Sequence, residues 1–379
     1  EVEGENLNRV VVGKVLSIEK HPDADKLVIC MVDIGESEPI QIVTGAKNLK
    51  LNDVVPVALD GSTLTDGTKI KKGKLRGVVS CGMMCSLAEL GLSKNDFPYA
   101  VEDGIFVLQE ENYSLGQDIR EFNDTKVEFE ITPNRADCLS VIGLAREVAA
   151  TFDKELKLHK PAVKAIASCD GEAFKVNVFD KNLCPFYCAK IVKNVKIAPS
   201  PRFIRERLRA MGVRSINNIV DITNYVMLEY GQPMHAFDLR YIEGNQINVR
   251  TANKGEFITT LDGIERKLNE NNLVIADSKK PIALAGVMGG EFSSVADDST
   301  TIVLESAIFE PIAVRKAAKE QNLRTDSSSR FEKGLDKNNC IPALNRACEL
   351  IEMLGAGDIV PDTIIVDNSL DSVTKIPFE

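Results

Sequence analysis

The sequence lacks any run of about 18 or more uncharged apolar residues, the length that a membrane-spanning helix needs. Residues 1–8 also lack the basic and apolar regions of a signal peptide. A cationic excess is missing as well, because the formal net charge is -10. We therefore expect a cytoplasmic protein without membrane contact, whose contact with any nucleic acid is local rather than spread over a basic surface.

Histidine is scarce, with only three in the chain, and no HExxH zinc motif occurs. The nine cysteines are an odd number spread through apolar segments, which predicts reduced thiols. Cys81 with Cys85, and Cys184 with Cys188, leave a zinc site as an alternative. Both pairs lie in strand-like sequence with no His nearby, so we expect small buried hydrophobic residues and no metal.

The length of 379 residues and the hydrophobic fraction of 44% allow two or three globular cores. The first residue is Glu rather than Met, and strand-like sequence begins only nine residues into the chain. We therefore expect a multidomain piece of a longer protein.

Short apolar runs separated by Gly, Asp and Pro extend from about residue 8 to 115, which predicts a small closed β-barrel. The predicted strands are residues 9–18, 27–34, 40–44, 54–59 and 104–108. After residue 132 the pattern becomes helical, with Ile142, Ala145, Ala149 and Phe152 on one stripe. Residues 174–191 then return to a strand pattern.

Helices and strands alternate in the last part of the chain, which indicates a mixed α/β unit. The predicted helices are residues 200–212, 219–230, 311–321 and 342–354. The first of these should bury Ile204, Leu208 and Met211. The predicted strands are residues 246–252, 273–277, 282–288 and 301–305.

Two long motifs mark the predicted barrel. Residues 21–27 (HPDADKL) follow its first strand, and residues 74–86 (KLRGVVSCGMMCS) come about fifty residues later. Together they resemble the tRNA-binding OB domain of endothelial-monocyte-activating-polypeptide-like proteins, methionyl-tRNA synthetases and phenylalanyl-tRNA synthetase β subunits. We expect His21, which precedes a Pro in a turn, to be an architectural hydrogen-bonding residue rather than a catalyst.

A short basic run is the candidate tRNA contact of this domain. Its members are Lys69, Lys71, Lys72, Lys74 and Arg76. The rest of residues 1–115 is acidic, since the whole segment holds 12 Lys and Arg against 18 Asp and Glu. The run could follow a phosphate backbone, with Gly73 and Gly77 permitting close approach. The alternative is a solvated face that touches no RNA.

Further motifs occupy the α/β unit. They are residues 220–227 (VDITNYVM), 231–238 (GQPMHAFD), 284–291 (LAGVMGGE), 303–306 (VLES), 324–327 (RTDS) and 330–334 (RFEKG). They resemble the editing domain of the bacterial phenylalanyl-tRNA synthetase β-subunit family. The resemblance covers nearly the whole chain and implies a multidomain α+β fold in which an OB-type β-barrel precedes a mixed α/β domain. The implied divisions are an OB domain at 1–116, a small α/β connecting domain at 117–195, the editing domain at 196–360 and the start of another segment at 361–379.

The motif residues also have ordinary structural explanations. Asn224 lies in a predicted helix interior, where Asn is unfavourable, so a further role could place it there. His235 follows a Gly-Gln-Pro break, where loops carry sites, although a structural His is the alternative. The glycines at 286–290 either admit a ligand to the backbone or form a tight turn. Glu305 ends an apolar strand and could simply face solvent.

The resemblance assigns these residues to one editing pocket. The matching positions are Asn224, His235, Gly286, Gly289, Gly290, Glu305, Thr325 and Ser327. Asn224, His235 and Thr325 would orient a water molecule or the terminal ribose, and the N–H groups of Gly289 and Gly290 would stabilise the oxyanion. Glu305 would accept a hydrogen bond from a tyrosine hydroxyl, with Ser327 and Gly286 beside the substrate. Ser327 stands where the family commonly has Ala, so the pocket gains a hydroxyl here.

The resemblance implies hydrolysis of tyrosine wrongly attached to tRNA(Phe). An apolar pocket rejects an added hydroxyl only about a hundredfold, whereas a site that hydrogen-bonds the hydroxyl discriminates by about 10⁴–10⁵. A positioned water would be the nucleophile, and a substrate-assisted attack with the ribose hydroxyl as base is equally compatible. The implied partners are tRNA(Phe) and a synthetase α subunit in a heterotetramer of two α and two β chains. ATP and Mg²⁺ would belong to the whole enzyme, with no cofactor in this chain. The alternatives are a tRNA-docking scaffold with an inactive pocket and, last, a zinc or thiol enzyme.

Overall fold

The computed structural model describes residues 6–109, 113–122, 127–167 and 174–369. They form two compact units. The first comprises Glu1–Phe129 with Arg209–Arg214, and the second comprises Glu130–Leu208 with Ser215–Glu379. The fold is multidomain α+β, as the sequence predicts.

The first unit is built on a five-stranded antiparallel sheet with the strand order β3-β2-β1-β4-β7. Its strands are β1 (Asn8–Lys20), β2 (Val28–Asp33), β3 (Ile40–Thr44), β4 (Val54–Thr63) and β7 (Gly82–Met84), and a separate hairpin contains β5 (Gly73–Leu75) and β6 (Val78–Ser80). The two edges of the sheet approach each other, because the Cys81 N–H donates to the Gln41 carbonyl at 2.8 Å. The predicted OB-type barrel is therefore confirmed as a nearly closed sheet.

The predicted fifth strand at residues 104–108 is wrong. The backbone there does donate hydrogen bonds, from Phe106 to the Cys85 carbonyl at 2.9 Å and from Leu108 to the Val54 carbonyl at 2.8 Å. These isolated bonds do not continue as a ladder, and the segment is irregular. Ile105, Phe106 and Leu108 are buried all the same, which explains the strand-like sequence pattern.

The basic run lies on the β5–β6 hairpin and the segment leading into it, and all five side chains are exposed. Arg76 (φ 49°) and Gly77 (φ 89°) form the two-residue turn with positive φ that suits a tight hairpin. His21 contacts this hairpin at the end of β5. The Asp23 N–H donates to His21 Nδ1 at 3.1 Å, so the opposite nitrogen, Nε2, carries the proton and donates to the Leu75 carbonyl at 3.1 Å.

The described residues contain six α-helices. They are α1 (Val141–Thr151), α2 (Arg202–Ala210), α3 (Asn218–Tyr230), α4 (Pro311–Glu320), α5 (Asp326–Phe331) and α6 (Cys340–Met353). Helix α3 begins where Asn217 accepts a hydrogen bond from the Val220 N–H and ends at Gly231, whose φ of 76° suits glycine. None of the described helices is long and apolar enough to cross a bilayer.

Two predicted inward faces are partly wrong. Ile204 and Leu208 of α2 are fully buried, but Met211 follows the helix and is 51% exposed. Phe152, at the end of the α1 stripe, is 65% exposed. In both cases the helical turn ends before the last residue of the periodic pattern, so that residue leaves the packed face.

The second unit contains two larger sheets. The four-stranded sheet has the order β10-β17-β9-β18, and the five-stranded sheet has the order β16-β15-β14-β11-β8. The strands are β8 (Lys175–Val178), β9 (Phe186–Lys193), β10 (Met234–Asp238), β11 (Gln246–Thr251), β12 (Phe257–Thr259), β13 (Glu265–Lys267), β14 (Leu273–Ala276), β15 (Pro281–Leu284), β16 (Met288–Gly289), β17 (Ile302–Ile308) and β18 (Asp358–Asp367). Strands β12 and β13 form a separate hairpin.

One hydrophobic core joins the two sheets, since it contains Tyr187, Phe237 and Val303 of the first and Val249 and Ile275 of the second. Helices α3 and α6 pack on the four-stranded sheet. Strand β17 is buried at all seven positions, as expected for a central strand covered on both faces.

Strands β8 and β9 fall within the predicted connecting domain at 117–195, yet they pair with β11 and with β17 and β18 of the second unit. The division of the chain at 116, 195 and 360 stays a prediction. A second difference concerns residues 282–288, which the sequence predicts as one strand. They form a hairpin of β15 and β16, because Gly286 turns the chain with φ of 69°.

Candidate functional site

The register of β10 against β17 places His235 directly opposite Glu305. Residues alternate between the two faces of a strand, and Val303 and Ala307, on either side of Glu305, lie in the core between the sheets. Glu305 therefore points into the space between the sheets. Directly opposed residues share a face, so His235 points to the same side.

Glu305 is a buried carboxylate, 6% exposed, with one hydrogen-bond donor among the described residues. That donor is the hydroxyl of Tyr187, at 2.5 Å from Oε2. Burial raises the pKa of Glu305 to about 7, and the Tyr187 hydrogen bond opposes this rise. Tyr187 is itself fully buried, and burial beside Glu305 raises its pKa well above 10, so it remains a hydroxyl donor.

His235 lies against Gly289 of β16. A Cβ atom at residue 289 would lie 2.4 Å from His235 Cε1 and 2.7 Å from Nε2, so only glycine leaves room for the imidazole. The ring also contacts Phe237 edge to face, with centroids 4.5 Å apart. Strand β16 thus brings the edge of one sheet against a side chain from the edge of the other.

The Nε2 atom of His235 is buried and has no hydrogen-bond partner among the residues that the structure describes. Burial lowers the pKa of His235 to about 4, so the ring is neutral at pH 7. Buried polar atoms are nearly always hydrogen-bonded, and an orphan commonly indicates a missing water or ligand. Nε2 is therefore the atom of this group most in need of an external partner.

The start of α5 is fixed to the turn at residues 286–287. The Thr325 hydroxyl donates to the Val287 carbonyl at 2.8 Å, and the Ser327 hydroxyl donates to the Gly286 carbonyl at 3.0 Å. Thr325 also accepts the Ser328 N–H at 3.0 Å as the helix cap. Both hydroxyl groups thus donate to backbone carbonyls of the protein. These two hydrogen bonds fix the turn at residues 286–287 to the start of α5.

Two expected site residues are placed differently. The Gly290 N–H already donates to the Ile282 carbonyl at 2.8 Å, and its part in stabilising an oxyanion stays a prediction. Asn224 is half-buried on α3, and its side chain makes no hydrogen bond with His235, Glu305 or any other described residue. The structure therefore brings together His235, Glu305 and Gly289, and it ties the residues of α5 to the adjacent turn.

Tyr187 is the residue of the candidate site that sequence reasoning missed. It lies 118 residues before Glu305 and pairs in the ladder with Ala307, which places it diagonally beside Glu305. An isolated Tyr in an apolar strand predicts a core position and nothing more. Only the pairing of β9 with β17 reveals its hydrogen bond.

Three of the four thiols of the alternative zinc site, those of Cys85, Cys184 and Cys188, are buried. Burial raises the pKa of Cys85 and Cys188 to about 12, and the Cys188 thiol donates to the Ser306 carbonyl at 3.0 Å. Among the described residues, one group has metal-ligand proximity: Asp137, Cys138 and Glu147. Arg135 binds both of its carboxylates, at 2.8 and 2.5 Å, and so already supplies their positive charge.

Two family models match the chain. The model described as "Putative tRNA binding domain" matches residues 10–106, and the model described as "B3/4 domain" matches residues 183–356. The chain is 52% identical over 365 residues to the phenylalanine-tRNA ligase beta subunit of Clostridium acetobutylicum, covering 95% of this chain and 45% of that protein. It is 47% identical over 374 residues to the protein of the same name from Staphylococcus haemolyticus, covering 98% of this chain and 47% of that one. The chain spans about half the length of these relatives.

A solved structure of an N-terminal fragment of the phenylalanyl-tRNA synthetase beta subunit from Pyrococcus horikoshii is also similar. Its sequence identity is 17%, it covers 50% of this chain and 59% of its own, and the TM-score is 0.29. A likeness this distant adds nothing to the chemistry of the site.

The contact between His235 and Gly289 can be tested by Gly289→Ala. The new methyl group overlaps the imidazole, so we expect the free energy of unfolding to fall by about 1–3 kcal/mol. Gly45→Ala is the matched control, because its Cβ would meet atoms no nearer than 3.6 Å. The double variant with His235→Ala and Gly289→Ala should lose less free energy of unfolding than the sum of the losses in the two single variants. Strict additivity in denaturant unfolding would show that the two residues do not touch.

The hydrogen bond from Tyr187 to Glu305 can be tested by Tyr187→Phe. The folded-state pKa of Glu305, about 7, lies above its ordinary value of 4.5, so its protonation favours the folded state at low pH and this contribution is lost as pH rises through about 7. Without the donor, the buried carboxylate becomes more costly. We expect a loss of about 1–3 kcal/mol at pH 8 and a smaller loss at pH 5. Urea unfolding at both pH values, with exposed Tyr241→Phe as control, measures this; equal losses would contradict it.

Proposed function

Because the chain belongs to the family of phenylalanine-tRNA ligase β subunits, we propose that its second unit hydrolyses tyrosine from mischarged tRNA(Phe) and that its first unit contacts tRNA. The observation that supports the hydrolytic proposal best is the pair formed by Glu305 and His235. A buried carboxylate faces the same space as an imidazole whose Nε2 has no described partner. One group can recognise a hydroxyl, and the other can hold a water molecule.

Selection of tyrosine is assigned to Glu305. Tyr187 occupies one carboxylate oxygen, and a carboxylate has capacity for further donors on the other. A substrate hydroxyl that donates there gains a charge-assisted bond in a buried site. Phenylalanine offers no donor, so its binding would leave the carboxylate desolvated without compensation. The site would thereby favour the hydroxyl group that an apolar phenylalanine-binding pocket disfavours.

The chemical step is assigned to a water molecule positioned by His235. A general base works best when its pKa lies near the operating pH, and the pKa of His235, about 4, is well below it. His235 is therefore better suited to orient water by a hydrogen bond at Nε2 than to remove its proton. The ribose hydroxyl next to the ester can take that proton while it passes its own proton to the ribose oxygen that leaves, which makes the reaction substrate-assisted. Asn224, Thr325 and Ser327 remain proposed members of the pocket.

The activity of the whole ligase is a proposal for this chain, since it spans about half of its relatives. We propose that an α subunit is its partner, that ATP and Mg²⁺ serve the assembled cytoplasmic enzyme, and that amino-acid activation takes place outside this chain. A scaffold with an inactive pocket is the second candidate. It is favoured by the internal hydrogen bonds that occupy Thr325, Ser327 and the Gly290 N–H.

Glu305→Gln tests the proposed selection. Ionisation of Glu305 near pH 7 should make the preference for tyrosyl-tRNA(Phe) over phenylalanyl-tRNA(Phe) about tenfold greater at pH 8 than at pH 6 in the native chain. The substitution removes the charge, so kcat/KM for the tyrosyl substrate should fall about tenfold to a hundredfold at pH 8 and the ratio should lose its pH dependence. Both substrates contain the same kind of ester bond, so differences in its intrinsic reactivity cancel in the ratio of their kcat/KM values. A uniform loss on both would assign Glu305 to folding or to the chemical step.

The basic hairpin is tested by replacing Lys71, Lys72 and Lys74 with Ala. If these side chains bind phosphates, tRNA affinity should fall and the dependence of log Kd on log salt should lessen by about 0.7 to 0.9 per lost contact. The control replaces three other exposed lysines of the same unit, Lys20, Lys47 and Lys50, with the same change of net charge. An identical effect of both sets in filter binding would indicate general electrostatics rather than a site.

A further inference from the structure

An exposed aromatic pocket lies in the second unit, apart from the residues already assigned. Its cavity is about 240 Å³. Three rings at its wall are unusually open to solvent: Tyr241 (45% exposed), Phe257 (53%) and Phe292 (64%). Contiguous exposed apolar surface of this kind commonly marks a binding site. We refer to it as the ring pocket.

The ring pocket adjoins the proposed hydrolytic site. Gly290 lines it, and the preceding residue, Gly289, is the one that His235 touches. Leu261 bridges the two places, because its N–H donates to the Gly289 carbonyl at 3.0 Å and its Cδ1 lies 3.3 Å from the Cβ position of residue 289. Phe257 lies four residues before Leu261 along the same hairpin. Leu261 and the Gly289–Gly290 step therefore link His235 to the wall of the ring pocket.

We propose that the ring pocket binds the terminal purine of the tRNA 3′ end by stacking, so that the aminoacyl ester next to it reaches His235. This rests on the proposed function. The base and the ester belong to one nucleoside, which matches two sites separated by a single glycine step. Unpaired bases stack on exposed aromatic rings, and such stacking tolerates a solvent-facing position.

Polar groups at the ring pocket suit a nucleotide. Lys280 has no ion pair among the described residues, unlike its neighbour Lys279, which pairs with Glu243. Its ammonium group can therefore meet the phosphate that joins the last two nucleotides. Glu265, also at the wall, can accept a hydrogen bond from an exocyclic amine of a purine. An apolar peptide would use neither group.

The test uses Phe257→Ala, Phe292→Ala and the double variant. Both side chains are largely exposed, so folding should be little affected. Phe179→Ala, 69% exposed in the same unit and outside the ring pocket, is the matched control. We expect kcat/KM for tyrosyl-tRNA(Phe) to fall about five- to hundredfold in each single variant. Hydrolysis of tyrosine esterified to methyl riboside, which keeps the ribose hydroxyl but has no base, should stay at the level of the native chain. Phe257→Trp, which keeps an aromatic ring, should hydrolyse tyrosyl-tRNA(Phe) at close to the native rate.

A second measurement does not depend on hydrolysis. An uncharged tRNA acceptor stem carrying 2-aminopurine as its last base should lose fluorescence on binding the native chain, because stacking quenches that base. The quenching should be retained by Phe179→Ala and lost in the double variant. Equal quenching by the native chain and the double variant would overturn the ring-pocket proposal even if hydrolysis is found. Quenching without hydrolysis of tyrosyl-tRNA(Phe) by the native chain would uphold the ring pocket and overturn the proposed function.

Discussion

The antiparallel pairing of β10 with β17 is the constraint on which the site depends. It sets His235 opposite Glu305 and directs both toward the core between the two sheets. A shift of one residue would turn Glu305 toward the face that packs on α6 and would separate it from Tyr187. The register is well specified, because β17 is buried along its whole length and any slip would exchange two different buried faces. The polar site is thus positioned by apolar packing on both sides.

This arrangement places two groups next to each other whose pKa values are shifted in opposite directions by burial. Burial raises the pKa of Glu305 to about 7, so its contribution to stability falls as pH rises from 4.5 to 7. Burial lowers the pKa of His235 to about 4, so its contribution is present above 6.5 and is lost as pH falls through 4. Over the common range the two dependences have opposite signs and offset each other. The fold can hold an acid and an imidazole in one buried space without a steep dependence of stability on pH.

The local sequence predicted best those helices and strands whose ends are marked by capping or turn residues. Helix α3 was expected at 219–230 and is Asn218–Tyr230, because Asn217 and Gly231 mark its ends in the sequence itself. Strand β3 was expected at 40–44 and is Ile40–Thr44. The errors arose where apolar composition persisted through a change of backbone direction, as at residues 282–288, where Gly286 makes a turn inside a run that is apolar on both sides.

The candidate site was predictable only in part, for the same physical reason. Motif resemblance identified His235, Glu305 and Gly289, and the strand pairing brings them together. It could not identify Tyr187, since the hydrogen bond to Glu305 depends on a pairing across 118 residues. Motif resemblance also could not show that the Gly290 N–H donates to a carbonyl of β15. Two consecutive glycines look the same in a sequence whether the amide binds a ligand or a backbone carbonyl.

Tyr187 also bears on why a hydroxyl can be selected at Glu305. Without that donor the buried carboxylate would take up a proton at a pH still higher than about 7, and as an acid it would be both donor and acceptor with little preference for a hydroxyl. The Tyr187 hydroxyl opposes that uptake and fixes Oε2, which leaves the other oxygen as the free acceptor. The chain thus binds a tyrosine hydroxyl of its own beside the place proposed for that of the substrate. Discrimination at this site therefore depends on how strongly a core residue holds the carboxylate ionised, as well as on the shape of the pocket.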